Sequence, residues 1–311
     1  MYRLYCRLIN KMRSLGWAIP DSLFIPAYYF LSVGERLNVK NPTTFTEKMQ
    51  WLKLHDHNEK YHNMVDKLSV KDYVTETIGE QYVIKTLAVW DSVDNIDISR
   101  LPNQFVLKTT NGGGSTGVVI CKDKKTFDLG EAKKKLQWSA NYDIYQNMGE
   151  WVYKGIRPRF FAEELLVEGP HMNCLRDYKW FCFYGEPKYC QVIQNRDSKE
   201  TIDFFDTEWK HQEFVGLNPA AGPAAVTPSC PVNLGLQIEI AKKLSCNVPF
   251  SRIDLYEVNQ HPYFGEITFY AASGLGVFTP KKYNRILGEM IKLPGEPEGI
   301  EVENNKNLKF C

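Results

Sequence analysis

The sequence predicts an α+β fold: a mainly helical N-terminal region followed by two strand-rich lobes. Three observations predict it. The first hundred residues carry helical spacing and helix caps, with only brief strand-like runs. The β-rich runs Phe105–Thr109 and Val118–Cys121 flank a short glycine-rich link at 111–117, which is a hairpin pattern. Beyond residue 170, two more hairpin patterns follow with one amphipathic helix between them. Helices and strands segregated along the chain are the mark of this class.

Taken in order, Leu4, Leu8, Ile9, Met12 and Leu15 recur at helical spacing among Arg3, Arg7, Lys11 and Arg13. A basic amphipathic helix over residues 3–15 can touch an anionic membrane surface. Packing that stripe onto the body of the protein is commoner and is the preferred reading. Asn41-Pro42-Thr43 then turns the chain into a helix capped at Thr44 or Thr46, with Met49, Leu52 and Leu54 facing inward. Residues 64–78 predict another helix, stopped by Gly79, and residues 82–84 and 88–90 are short strand-like runs. After the glycine-rich hairpin come a helix at 129–138 and a strand at 160–167. Strands at 178–184 and 188–193 surround Gly185-Glu186-Pro187, and Leu234–Leu244 is an amphipathic helix. The last two strands, 251–258 and 263–268, surround the polar turn Asn259-Gln260-His261-Pro262. Residues 293–311, rich in Gly, Pro, Glu and Asn, predict a loose tail with little to bury. The expected division is a helical region at 1–100, lobes at 101–170 and 171–292, and the tail at 293–311.

Composition removes several classes of function. At 311 residues, with 43% hydrophobic and 24% charged residues, this is an ordinary globular chain. A formal charge of +1 argues against nucleic acid as a partner. No apolar run reaches the roughly 18 to 20 residues of a membrane span. Eight cysteines stand without a CxxC or CxxH pattern, so zinc is not expected. With no signal peptide, free thiols in a reducing cytoplasm are the expectation.

Three groups of residues carry chemistry. In the stretch from Lys108 to Gly117, Gly112, Gly113 and Gly114 let the backbone approach a ligand and turn its N–H groups outward as an anion nest. Lys108, on the strand before it, is placed to neutralise phosphate. No Lys-Ser or Lys-Thr follows the last glycine, so this is not a Walker A loop, and the following strand excludes a dinucleotide fingerprint. A flexible hairpin beside an unrelated lysine is the bland alternative. Second, Asp254 and Glu266 each lie on a hydrophobic strand, twelve residues apart across a turn. Antiparallel pairing brings two such carboxylates together, and Mg²⁺ with nucleotide phosphates suits that pair. A surface salt bridge with Arg252 is the competing explanation. Third, Lys179 and Arg196 add positive charge near a phosphoryl group or a substrate carboxylate, unless they are solvated strand charges.

The order of the pieces resembles an ATP-grasp enzyme: the Lys108 strand, the glycine-rich hairpin, Ala162-Glu163-Glu164-Leu165-Leu166, Asp177-Tyr178-Lys179, Arg196, Arg252-x-Asp254 and Glu266-x-Thr268. In particular it resembles the TupA-like ATP-grasp group, linked to teichuronopeptide and capsular polysaccharide synthesis. The segments 44–53, 66–74 and 101–108 are similar to that group's N-terminal signatures. The resemblance covers roughly residues 40 to 290. It implies two α+β subdomains gripping ATP. Lys108 would contact phosphates, and the stretch from Gly112 through Ser115 and Thr116 to Gly117 would be a lid. Glu163, Glu164, Leu165 and Leu166 would meet the adenine, with Glu168 near the ribose. Asp254, Glu266 and Thr268 would hold Mg²⁺, and Arg252, Lys179 and Arg196 would act on the phosphoryl group. Thr268 stands where many ATP-grasp enzymes have asparagine as a metal ligand.

The implied activity is an ADP-forming ligase that joins a carboxylate to an amine through an acyl phosphate. The resemblance suggests a uronic acid of a surface glycan as the carboxylate and an amino acid as the amine, with the enzyme cytoplasmic or at the inner membrane face. Two rivals are a glycosyltransferase or sugar phosphotransferase of the same kind of pathway, and a non-catalytic nucleotide-binding partner. The absence of an Asp-x-Asp motif counts against a glycosyltransferase. Tyr142, Tyr145, Trp151, Phe204, Phe205 and Trp209 are candidates for stacking on sugar rings, with ordinary core packing preferred.

Overall fold

The computed structural model describes residues 13, 19–114, 116–167, 175–194, 200–218 and 221–295. The basic stripe expected over residues 3–15 lies outside these, apart from Arg13, as do residues 296–311 of the expected tail. Leu293, read as the start of that tail, is instead buried in the main core.

Helix α1 (Asp21–Val33) precedes α2 (Phe45–His55). Thr44 caps α2 in a reciprocal box: its hydroxyl accepts from the Glu47 N–H, and the Glu47 carboxylate accepts from the Thr44 N–H at 3.0 Å. Phe45, Met49 and Leu52 are buried as expected, whereas Leu54 is only half-buried. The same face buries Gln50 and Lys53. Gln50 donates to the Gly274 carbonyl at 2.8 Å and Lys53 to the Ser273 carbonyl at 2.8 Å.

Residues 64–78 form two helices instead of one, α3 (Lys60–Val65) and α4 (Val70–Ile78). The break belongs to Asp66, whose carboxylate accepts from the Leu68 and Ser69 N–H groups at 3.0 and 2.8 Å and so competes with helical bonding. Gly79, at φ +111°, ends α4 as expected. The strand expected at 82–84 is replaced by a single 3₁₀ turn at Glu80–Tyr82, because the Tyr82 and Val83 N–H groups bond back to Gly79 and Glu80.

The first sheet comprises β1 (Thr86–Trp90), β2 (Phe105–Thr109), β3 (Val118–Cys121) and β4 (Phe160–Glu163), antiparallel throughout in the order β1–β4–β2–β3. It therefore draws strands from both sides of residue 100. Helix α5 (Leu129–Ala140) seals one face, with Ala132 and Leu136 against Phe105, Leu107 and Phe160. A short helix, α6 (Ile144–Met148), follows. Strand β4 is half the length expected because both of its partners run out beside Glu163, which pairs with Thr86 at the start of β1 and with Val106 near the start of β2.

The second part contains β5 (Asp177–Phe183), β6 (Glu186–Gln194), β7 (Thr201–Asp206), β8 (Val215–Gly216), α7 (Leu234–Leu244), β9 (Phe250–Val258), β10 (His261–Thr268), β11 (Phe278–Thr279) and α8 (Lys282–Glu289). Its five-stranded antiparallel sheet runs β10–β9–β5–β6–β7, and β11 pairs separately with β8. The main core centres on aromatic side chains. Phe45 of α2 meets Phe250 and Phe278 edge-on at 5.0 and 5.4 Å, and Phe181, Phe204 and Phe214 join them. Val70 and Val74 of α4 enter the same cluster, so α2, α3 and α4 share the core of the five-stranded sheet. Each fully buried Phe contributes about 1.5–3 kcal/mol. Among the aromatics weighed for sugar stacking, Trp151, Phe204 and Phe205 are core, and Trp209 stacks on Phe205 at 4.3 Å. Tyr142 stacks on Trp138 at 6.1 Å, and the Tyr145 hydroxyl donates to Asp21 at 2.9 Å.

Candidate active site

Two hairpins set the register of a charged row. The β5–β6 turn is Tyr184-Gly185 and the β9–β10 turn is Asn259-Gln260, each residue at positive φ as tight two-residue hairpins require. The second turn is shorter than expected: His261 and Pro262 belong to β10. Without a correction, that tight turn would pair Asp254 with Gly265 and send Glu266 to the opposite face of the sheet. A bulge between Phe264 and Glu266 supplies the correction, and Glu266 sits directly opposite Asp254. Glycine fits position 265 without strain, where a Cβ would crowd the Asp254 carbonyl oxygen at 3.0 Å and the Tyr256 ring at 3.1 Å. Lys179 on β5 is opposite Asp254 on its other side, so Lys179, Asp254 and Glu266 form one row across three strands.

Arg252 lies two residues before Asp254 and shares its face. Its Nε and Nη2 fork onto the two Asp254 oxygens at 2.6 and 2.8 Å, and Nη2 also reaches Glu266 at 3.3 Å and the Thr268 hydroxyl at 3.0 Å. The Lys179 ammonium donates to Asp254 Oδ2. Lys67 donates to Glu266 Oε2 at 2.7 Å. Burial alone would raise the Glu266 carboxyl. The charges of Lys67, Lys179 and Arg252 outweigh it and hold the group well below the usual range. Burial likewise works against the charged form of Arg252, and Asp254 and Glu266 more than restore it.

A second cluster shares a cleft with Lys67. Glu163, only 3% exposed, turns its carboxylate onto the ammonium groups of Lys108 and Lys71, the latter at 3.0 Å. Burial pushes the Glu163 carboxyl up, and Lys108 and Lys71 bring it below its ordinary value. Lys71 is also anchored to the Ile84 carbonyl at 2.7 Å, and burial lowers its pKa. Lys67, Lys71, Lys108, Glu163, Phe161 and Phe264 line one cleft between the first sheet and β10.

The glycine-rich hairpin leaves this cleft at Thr109. Its base is tight: a Cβ on Gly117 would lie 2.2 Å from the Thr109 hydroxyl and 2.6 Å from that of Ser139. Its tip is exposed at Gly113, Gly114 and Thr116, with Gly114 at φ +58° and the Thr116 hydroxyl donating to the Gly113 carbonyl at 2.8 Å. Glu164, Leu165 and Leu166 follow β4 as irregular chain, with Glu164 exposed and both leucines half-buried. Ser115, Glu168 and Arg196 lie outside the described residues.

Sequence reasoning gave no role to Lys67 and Lys71. Their signal was an i, i+4 lysine pair in the 66–74 segment, whose partners lie 199 and 92 positions away. The expected Mg²⁺ ligands are chemically apt: Asp254 and Glu266 are paired hard oxygen donors, with the Thr268 hydroxyl adjoining them through Arg252. Lys67, Lys179 and Arg252 neutralise these two carboxylates in the structure. Among the described residues no cluster of three or more His, Cys, Asp or Glu side chains offers a full cage, so phosphate or water oxygens would complete the coordination. The five cysteines among the described residues are free thiols, and no described helix is long and apolar enough to cross a membrane.

Comparison with known proteins agrees with this architecture. The family model described as TupA-like ATPgrasp matches residues 47–292. Among solved structures, D-alanine–D-alanine ligase from Bacillus anthracis is 17% identical over 73% of this chain and 66% of its own, with a TM-score of 0.41. The same enzyme complexed with ATP is 14% identical over 73% and 64%, with a TM-score of 0.44. A RimK domain ATP-grasp protein from Sphaerobacter thermophilus is 10% identical over 74% and 67%, with a TM-score of 0.37. This chain thus spans at most about two thirds of each of these proteins. No curated protein matches it.

Proposed function

The chain belongs to the TupA-like ATP-grasp family, and from that premise we propose that it is an ATP- and Mg²⁺-dependent ligase joining a carboxylate to an amine. The carboxylate we propose is a uronic acid of a surface polysaccharide, at the cytoplasmic side of the membrane. One observation carries the reading. Lys67, Lys71, Lys108 and Glu163 line one cleft, and the Lys67–Glu266 ion pair joins it to the row of Lys179, Asp254 and Arg252, so that five cations meet three directly paired carboxylates across the two clusters. Even with Asp177 close to Arg252, cations are in excess, which suits a polyphosphate.

In this proposal Lys71 and Lys108 hold phosphate oxygens, and Glu163 fixes the two ammonium groups in place. Backbone groups of Glu164, Leu165 and Leu166 meet the adenine. Gly112 to Thr116 close as the lid that excludes water. Asp254, Glu266 and Thr268 would hold Mg²⁺, which when bound neutralises charge on the phosphates. Arg252 and Lys179, with Arg196, orient the γ-phosphoryl group and stabilise its charge. A carboxylate oxygen of the acid attacks the γ-phosphorus, its bond to the β-phosphate oxygen breaks, and ADP leaves. The amine nitrogen then attacks the acyl carbon, the bond to phosphate breaks, and the nitrogen gives up a proton to solvent as inorganic phosphate departs.

Hydroxylamine tests this without knowledge of the natural amine, since it traps acyl phosphates as hydroxamates. Purified protein with Mg-ATP, hydroxylamine and a panel of hexuronates is expected to release ADP and hydroxamate in equal amounts. ADP release driven by neutral hexoses, with phosphate moved to a hydroxyl and no hydroxamate, would replace the ligase by a sugar phosphotransferase.

A further inference from the structure

Beside the glycine-rich hairpin lies a second cavity, of about 330 Å³, with a charge character opposite to that of the cleft. Its polar lining is Asn111, Asn141, Asp143 and Tyr153, and Ile144 and Ile156 supply apolar walls. Among the described residues no lysine, arginine or histidine lines it. The nearby Lys154 ammonium is laid over the Tyr145 ring at 5.3 Å. An anion entering here would find a carboxylate and no counter-charge, which costs far more than pairing in the lysine cleft. Hydrogen-bonding capacity is present: Asn111 is 7% exposed, donates to the Ala140 carbonyl at 3.3 Å, and its Oδ1 has no partner among the described residues. Asp143 Oδ1 accepts from the Gln146 N–H at 2.9 Å, which leaves Oδ2 for a ligand.

The cavity adjoins both parts of the proposed chemistry. A Cβ on Gly113 would lie 3.5 Å from Ile144 Cδ1, so the lid tip and the cavity wall are in contact. On its other side, burial and the charges of Glu150 and Glu266 push the Tyr153 phenol up. A volume of 330 Å³ is at the small end for ligand pockets and suits one monosaccharide-sized group.

We propose that this cavity seats the amine substrate as an ammonium on an uncharged, hydrogen-bonding frame such as an amino sugar, with Asp143 pairing the ammonium and Asn111 and Asn141 bonding the frame. The acid substrate stays on the lysine side. The assignment deepens the ligase reading and rests on it for the word substrate. It also predicts that a free α-amino acid, whose carboxylate adjoins its amine, is a poor occupant.

Saturation-transfer NMR of D-glucosamine on the full chain with Mg-ADP tests it, beside D-glucuronate and L-alanine. Wild type is expected to saturate glucosamine in the millimolar range and neither D-glucuronate nor L-alanine in this cavity. Asn141→Trp fills the space from an exposed position. Asp143→Asn removes only the charge, since a carboxamide also caps a helix. Both are expected to weaken glucosamine at least tenfold while keeping the wild-type melting temperature and the Mg-ADP thermal shift. Failure of wild type to bind glucosamine, equal binding by both variants, or L-alanine lost from the variants in its place would overturn the assignment. Should Mg-ADP give no shift in wild type while both variants lose glucosamine, the cavity assignment stands and the ligase reading falls.

Discussion

Glu163→Gln separates two effects that ordinarily move together. The carboxylate is buried, with Lys71 and Lys108 as partners whose side chains are only 13% and 16% exposed. At the 3.0 Å of the Lys71 contact the gross attraction is about 5 kcal/mol at an effective dielectric constant of 20, and desolvation cancels much of it. Removing one member of a buried ion pair costs about 3–5 kcal/mol, and the lysines' residual exposure favours the lower end, about 3 kcal/mol. For a chain of 311 residues that corresponds to a melting temperature lower by roughly 4 to 6 °C. Phosphate binding moves the other way, because two ammonium groups lose their internal anion, and pyrophosphate should bind several times more tightly. Calorimetric melting and pyrophosphate titration measure the two effects. The lowered Glu163 pKa means its stabilisation is present above the unfolded value near 4.5 and is lost as pH falls through the lower, folded value. The gap between wild type and variant should therefore close below about pH 4.5. A variant as stable as wild type, or one whose pyrophosphate affinity falls with its stability, would refute the clamp and return Glu163 to a direct ligand contact.

Gly265→Ala forces a Cβ to 3.0 Å from the Asp254 carbonyl oxygen. It should cost about 1–3 kcal/mol in urea melts, and turnover should fall out of proportion as Glu266 leaves the row. Gly117→Ala meets the Thr109 and Ser139 hydroxyls and should lose a similar amount, with Thr109→Ala restoring part of it in a double-mutant cycle. Lys67→Met removes a cation competing for Glu266, so Mg²⁺ titration should show tighter binding by the variant even as turnover declines. Unchanged Mg²⁺ affinity in that variant would argue that Glu266 is not a metal ligand.

Much of the fold was legible because local signals agreed with tertiary ones. The cap at Thr44, the Leu234–Leu244 helix and the existence of the hairpins were readable from short-range pattern, although both turns proved shorter than the sequence suggested. The errors came where a side chain or a distant partner decided. Asp66 broke a helix that periodicity alone continued, and β4 ended at Glu163 where its partners β1 and β2 begin. The pairing of Asp254 with Glu266 was anticipated from spacing, but its cause, a bulge at glycine, was not, since the turn is two residues long. Lys67 and Lys71 carried no role in the sequence because their partners are distant: Lys67, in the turn before α4, reaches Glu266 of β10, and Lys71, on α4, reaches Glu163 of β4, just as Lys48, Gln50 and Lys53 of α2 find their carbonyl partners some 95 to 243 positions away.

Calorimetric titration of Mg-ADP into wild type, Lys71→Ala, Lys108→Ala and Glu266→Ala, each first checked for cooperative melting, tests the central claim most directly. The account predicts Mg²⁺-dependent binding by wild type, at least tenfold weaker in each lysine variant, with the Mg²⁺ dependence lost in Glu266→Ala. Nucleotide binding that ignores Mg²⁺ and survives all three substitutions would contradict the placement of ATP in this cleft.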